Sequence, residues 1–208
     1  FDFKTENRDI AEFVRICQQE GMWVLFRPGP YVCAEWDFGG LPVSLLKIPD
    51  IKIRCLDPRY MKAATAYISR MAKEIKALQC TNGGPILMVQ VENEYGSYGN
   101  DKEYMEQLRR LCINNGINVP FYTADGPTPY MLEAGNIDGA AIGLDSGSSE
   151  AKVERSKQAN VALQSLARTS RPEQRQQIVV RYQLKLRDKQ RIEFALRELG
   201  YEVEGRKA

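Results

Sequence analysis

A chain of 208 residues that is 43% hydrophobic has room for one medium domain, or for a domain and an appendage. It contains no histidine, which excludes Ser-His-Asp and Cys-His catalysis and removes the commonest metal ligand. Any chemistry here must come from carboxylates, lysine, tyrosine or cysteine. The net charge of +2 divides unevenly: from Lys152 onward there are 14 Lys/Arg against 7 Asp/Glu, whereas the residues before it carry 15 against 20. That asymmetry suggests two different pieces, about 1–150 and 151–208.

No apolar run approaches the length of a membrane-spanning helix, so no membrane partner is expected. The N-terminus, "FDFKTENRD", has neither a basic n-region nor an apolar h-region, and reads as the interior of a longer chain. It leaves the compartment unknown. Five widely spaced cysteines (Cys17, Cys33, Cys55, Cys80, Cys112) form no CxxC pair and read as small buried hydrophobes.

In chain order, residues Glu6 to Glu20 place Ile10, Phe13, Val14 and Cys17 on one helical face, with Gly21 as the stop. "MWVLFRPGPY" reads as a strand entering a Pro/Gly loop. Asp57 is an N-cap with Pro58 at the first helical position, predicting a long helix to about Leu78. Ile86 to Val91 is an apolar run of the kind found in strands buried on both faces. Asp101 to Asn114 predicts a helix ended near Gly116, "VPFYTAD" a third strand, and "DGAAIGLD" a fourth.

Strands alternating with helices of this length predict βα units and a parallel sheet, whose ligands sit at the carboxyl ends of the strands. Polar residues stand at all four ends: Cys33 to Trp36, Glu92 to Tyr95, Asp125 and Asp145. On an extended strand Glu92 and Glu94 would point to one side, and two carboxylates in one pocket raise the pKa of one of them. A carboxyl held protonated near neutral pH can act as a general acid. The competing expectation is that both are structural acids paired with arginines. Asp125 and Asp145 either line a pocket or cap helices, and Tyr95 and Tyr98 either pack or touch a ligand.

Beyond Glu150 the pattern changes. Ala159, Leu163, Leu166 and Ala167 fit a helix, Val180, Tyr182, Leu184 and Leu186 alternate with charges as in a half-buried strand, and Ile192, Ala195, Leu196 and Leu199 form a helical stripe. This predicts a small basic α+β tail. Its charges alternate with apolar residues as on a solvated face, so nucleic acid is not the expected partner; Arg181, Lys185 and Arg187 are the residues on which to test that.

Two segments carry a resemblance. "RPGPYVCAEWDFGGLP", Arg27 to Pro42, is similar to the signature loop of family 35 glycoside hydrolases, the β-galactosidases, and "VQVENEYGSYG", Val89 to Gly99, resembles that family's acid/base segment. The matches are long, contiguous and correctly ordered, and the resemblance covers about Phe1 to Glu150. It implies a (β/α)8 barrel, of which this chain holds about strands three to six. It also implies retaining removal of terminal β-D-galactose, without a cofactor. By position, Glu94 matches the general acid/base, Asn93 the residue that binds the galactose 2-hydroxyl, Cys33, Ala34 and Glu35 the loop around the other hydroxyls, and Glu92 a supporting acid counted among the substrate-binding residues. Family members are often secreted, periplasmic or lysosomal. No counterpart to the family's nucleophile segment is seen, because Glu150 in "SGSSEA" comes too early and is followed by Ala and Lys. The expectation is therefore a barrel fragment that lacks the nucleophile, with oligomerisation or a complementing chain as the route to completion.

Overall fold

The computed structural model describes residues 1–145 and the strand residues 178–180. Five strands, β1 (Val24–Phe26), β2 (Ile86–Gln90), β3 (Phe121–Asp125), β4 (Ala140–Leu144) and β5 (Ile178–Val180), form one sheet in the order β1-β2-β3-β4-β5. Every neighbouring pair is parallel. The βα reading therefore holds. The strand order follows the chain without reversing, so these strands contain no topological switch point.

Among the described residues four α-helices accompany the strands: α1 (Ile10–Gln19), α2 (Pro58–Ile75), α3 (Lys102–Asn114) and α4 (Pro129–Gly135). Each packs on the next in chain order. The starts of the helices are set locally. Asp9, Asp57, Asp101 and Thr128 each accept a backbone N–H of the first turn through a side-chain oxygen, satisfying donors that the helix itself leaves free. Pro58 and Pro129 follow two of these caps, where a missing N–H costs nothing.

Asp9 also explains a departure from the expected first helix. It caps α1 at Ile10 and leaves Glu6–Arg8 as a separate 3-10 turn. The buried stripe of α1 is Ala11, Val14 and Cys17, while Phe13 is exposed. Val14 and Cys17 are buried and Ile10 packs on the core as expected, so the departure is confined to Phe13, with Ala11 buried instead. Helix α4 was not expected at all, since "PYMLEAG" is too short to show a period.

The main core joins Ile68, Met71 and Ile75 of α2 to Ile86 and Val89 of β2 and to Tyr104 and Leu108 of α3. Among the described residues a second, smaller cluster is formed by Tyr122, Ala124 and Ala141, with Met88 against it. Of the cysteines, Cys17 and Cys112 are buried as expected, whereas Cys33, Cys55 and Cys80 are partly exposed; all five are unbridged. Among the described residues no helix is long and apolar enough to cross a membrane. The tail residues beyond 150, apart from the backbone of β5, lie outside the described residues, and so do Glu150, Arg181, Lys185 and Arg187.

Candidate active site

The carboxyl ends of β1, β2, β3 and β4 carry the polar residues singled out by the sequence. β2 ends at Gln90, and the backbone then leaves the extended conformation: φ is +59° at Glu92 and +47° at Glu94. This overturns the expectation that the two glutamates share one side of a strand. The turn hangs on β3, with Val91 N donating to Tyr122 O at 2.9 Å and Glu94 N to Ala124 O at 3.0 Å.

The two acids have opposite surroundings. The Glu92 side chain is sealed inside. Its oxygens accept Arg54 Nε at 2.8 Å and a second guanidinium nitrogen at 2.7 Å, Tyr104 Oη at 3.1 Å and the Asn93 N–H at 2.6 Å. Burial raises its pKa, and these donors, Arg54 first, oppose the rise. Glu92 is therefore the arginine-paired structural acid of the competing expectation. A direct hold on a ligand, expected from the resemblance, is not what this geometry offers.

Glu94 is half-buried. Burial raises its carboxyl pKa, and the Asp145 charge adds to the rise; Arg27 and Arg54 oppose it. The cause expected from the sequence, repulsion from Glu92, is replaced by desolvation and Asp145. A raised carboxyl at an open strand end is the electrostatic condition for a general acid.

Asn93 is buried, and its side-chain oxygen accepts a guanidinium nitrogen of Arg27 and, at 3.3 Å, Gln90 Nε2. The same Arg27 nitrogen lies 3.5 Å from an Asp145 oxygen. With its oxygen engaged in this way, the Asn93 amide can offer its NH2 to an incoming hydroxyl. Asp125 is buried under the turn: its Oδ1 accepts Gly96 N at 2.7 Å, and burial pushes its pKa up to about 7. It fixes the turn rather than lining the cleft. Asp145 joins the cleft.

The loop after β1 is built differently. Cys33, Ala34 and Glu35 have φ of +59°, +52° and +54°, a run of left-handed residues that costs of order 1–3 kcal/mol each and marks a functional loop. Ala34, Glu35 and Trp36 are exposed. Gly39 lets the loop close, because a Cβ there would overlap the Tyr31 ring. An apolar hollow of about 240 Å³ lined by Pro30, Leu41, Tyr60, Ala64 and Tyr67 is separate from this cleft and contains none of its acids.

Sequence reasoning gave no role to Arg27 or Arg54. Arg27 opens the signature loop, so its place at a strand end was available as a signal. Arg54 lies 38 residues before Glu92, in a stretch with no pattern of its own. Among the described residues no cluster of three His, Cys, Asp or Glu side chains could hold a metal ion.

The strand ends of this parallel sheet thus gather a raised carboxyl, a presented amide and an exposed loop, at the place where parallel α/β sheets bind ligands. The family model for glycosyl hydrolases family 35 matches residues 1–184, and the chain belongs to that family. It is 44% identical over 155 residues to Beta-galactosidase 1 of Dictyostelium discoideum, 41% over 153 residues to a beta-galactosidase of Xanthomonas manihotis, and 39% over 145 residues to the human beta-galactosidase. These alignments cover 70%, 73% and 69% of this chain but 23%, 25% and 21% of the relatives. The chain thus spans about a quarter of the length of the proteins it matches. The family match runs 34 residues past residue 150, where the resemblance seen in the sequence stopped.

Proposed function

We propose that this chain is part of the catalytic barrel of a retaining β-galactosidase, with Glu94 as the general acid/base. The observation that carries the reading is the contrast at the end of β2: Glu92 is locked to Arg54, while Glu94 is half-buried and raised. In this reading Glu94 protonates the leaving oxygen and later activates water. Asn93 donates to the sugar 2-hydroxyl, and Cys33, Ala34 and Glu35 hold the other hydroxyls. No cofactor takes part.

Retaining hydrolysis needs a second carboxylate about 5–5.5 Å from the first, across the glycosidic bond. Among the described residues the neighbouring acids are engaged: Glu92 with Arg54, Asp125 with Gly96, Asp145 with Arg27. We therefore assign the nucleophile to barrel strands outside the described residues, supplied by a complementing segment or chain. The four strands β1 to β4 correspond to about strands three to six of an eight-stranded barrel. The free edge of β1, with Leu25 exposed, is where a preceding strand would pair. The helix-covered face is then the barrel exterior, and the small cluster around Tyr122 is its interior. The length of the family match and the seating of β5 beside β4 favour extending the barrel into the segment after 150 over a separate basic binding module.

The test is binding of D-galactose to the purified chain, followed by Trp fluorescence, with hydrolysis of a chromogenic β-galactoside measured alongside. Binding that Asn93→Ala removes supports the reading, and a folded chain indifferent to galactose contradicts it. Turnover that disappears in Glu94→Gln would show that a nucleophile is present in this chain after all.

A further inference from the structure

We propose that Arg54 is a positioning residue: clamped between two tyrosine rings and forked onto Glu92, it sets the turn that carries Asn93 and Glu94 and ties it to the signature loop. The inference rests on the reading of Glu94 as the acid/base. Four observations support it.

The turn has no preference of its own for this shape. Glu92 and Glu94 both adopt left-handed φ, as does Arg54 itself at +53°; such residues persist only where their surroundings over-determine them. Arg54 supplies that determination. Its guanidinium donates twice to the Glu92 carboxylate and, at 2.7 Å, to the carbonyl oxygen of Asn93, so one side chain holds two successive residues before the acid.

The guanidinium is itself fixed. Its carbon lies 3.9 Å from the centroid of Tyr31 and 4.2 Å from that of Tyr98. Tyr31 belongs to the signature loop and Tyr98 follows the acid turn, so the stack joins the two halves of the cleft. The tyrosines also grip the backbone around Arg54: Tyr95 Oη donates to Arg54 O at 3.2 Å and Tyr98 Oη to Ile53 O at 3.3 Å.

The residue type also fits. Only arginine combines a planar face for stacking with a fork for a carboxylate; lysine keeps the charge but loses both. Its buried side chain acts through the Glu92 carboxylate and the Asn93 carbonyl, next to the acid.

A purely structural ion pair would leave the site unchanged once the fold is secured, and that separates the two readings. The experiment uses the full chain. The double variant Arg54→Met with Glu92→Leu replaces the pair by apolar groups, an exchange that buried ion pairs often tolerate. Arg54→Lys keeps the charge without the fork, and Tyr98→Leu removes the exposed ring of the clamp. Melting temperature reports folding. The carbon-13 titration of Glu94, assigned by its disappearance in Glu94→Gln, reports the position of the acid.

The result expected is that folded Arg54→Lys and Tyr98→Leu, which keep the charge, titrate Glu94 nearer the ordinary carboxylate range. The double variant loses the Arg54 charge that holds Glu94 down, so it is read through galactose binding, weakened on the order of tenfold, about 1.4 kcal/mol. Folded Arg54→Lys and Tyr98→Leu with the parent titration of Glu94 overturn the proposal. If the double variant does not fold, Arg54→Lys and Tyr98→Leu decide it by the same titration. A parent chain that ignores galactose counts against the β-galactosidase reading alone, because the Glu94 titration still tests Arg54.

Discussion

The two loops that make the cleft differ in how much of their shape is held from within. The loop after β2 is buried and tied down: Glu92 to Arg54, Asn93 to Arg27, Gly96 to Asp125, and the backbone to β3. The loop after β1 has three successive left-handed residues and an exposed tip at Ala34, Glu35 and Trp36. The turn that carries Glu94 is thus prebuilt by this chain's own contacts, while the loop after β1 presents its groups outward. A fragment can keep the first without completing the second.

If this comparison is right, the largest loss follows from opening the locked side. Arg54→Ala leaves Glu92 charged, buried and unpaired, and is expected to cost about 3–5 kcal/mol in chemical denaturation. A loss below about 1 kcal/mol, the range of exposed ion pairs, would break the comparison.

The next effect is a pH dependence. Burial keeps Asp125 protonated in the folded chain up to about pH 7, whereas its ordinary value is 3.8. The unfolded state therefore holds fewer protons between these values, and stability falls as the pH rises across that window. The fall attributable to Asp125 is up to about 4 kcal/mol. Asp125→Asn, which can still accept from Gly96, is expected to flatten it; melting temperatures from pH 4 to pH 7 check this.

Gly96→Ala should come third, at about 1–3 kcal/mol, because the added Cβ would overlap the Met131 carbonyl of α4. Denaturant midpoints measure it. On the other loop, Trp36→Ala is expected to change stability by less than about 0.5 kcal/mol, since the ring is 73% exposed. It should still weaken galactose binding, which isothermal titration would show.

The same contrast marks how much could be read from the sequence. The four strands, α2, α3 and the polar strand ends were legible because apolar runs, caps and stops are local signals. The family was legible because "VENEYG" and the loop after β1 are contiguous segments. The shape of the "VENEYG" segment was not: alternation implied that Glu92 and Glu94 share a side, but two left-handed residues turn one into the core. What decides this is Arg54, distant in sequence and unmarked by any pattern. Helix α4 escaped because its seven residues are too few for a period, and the start of α1 was misplaced because Asp9 caps it at Ile10, later than the apolar spacing implied.

The central claim is that Glu94 is a carboxyl raised by its surroundings beside a locked Glu92. The most direct measurement is the carbon-13 titration of the glutamate carboxyls in the intact chain, with Glu94 assigned by Glu94→Gln. The account predicts a Glu94 pKa above the ordinary carboxylate value, falling further toward normal in Arg54→Lys than melting temperature alone would suggest. A Glu94 that titrates at or below the ordinary value would contradict it, and would make this residue a solvated surface acid.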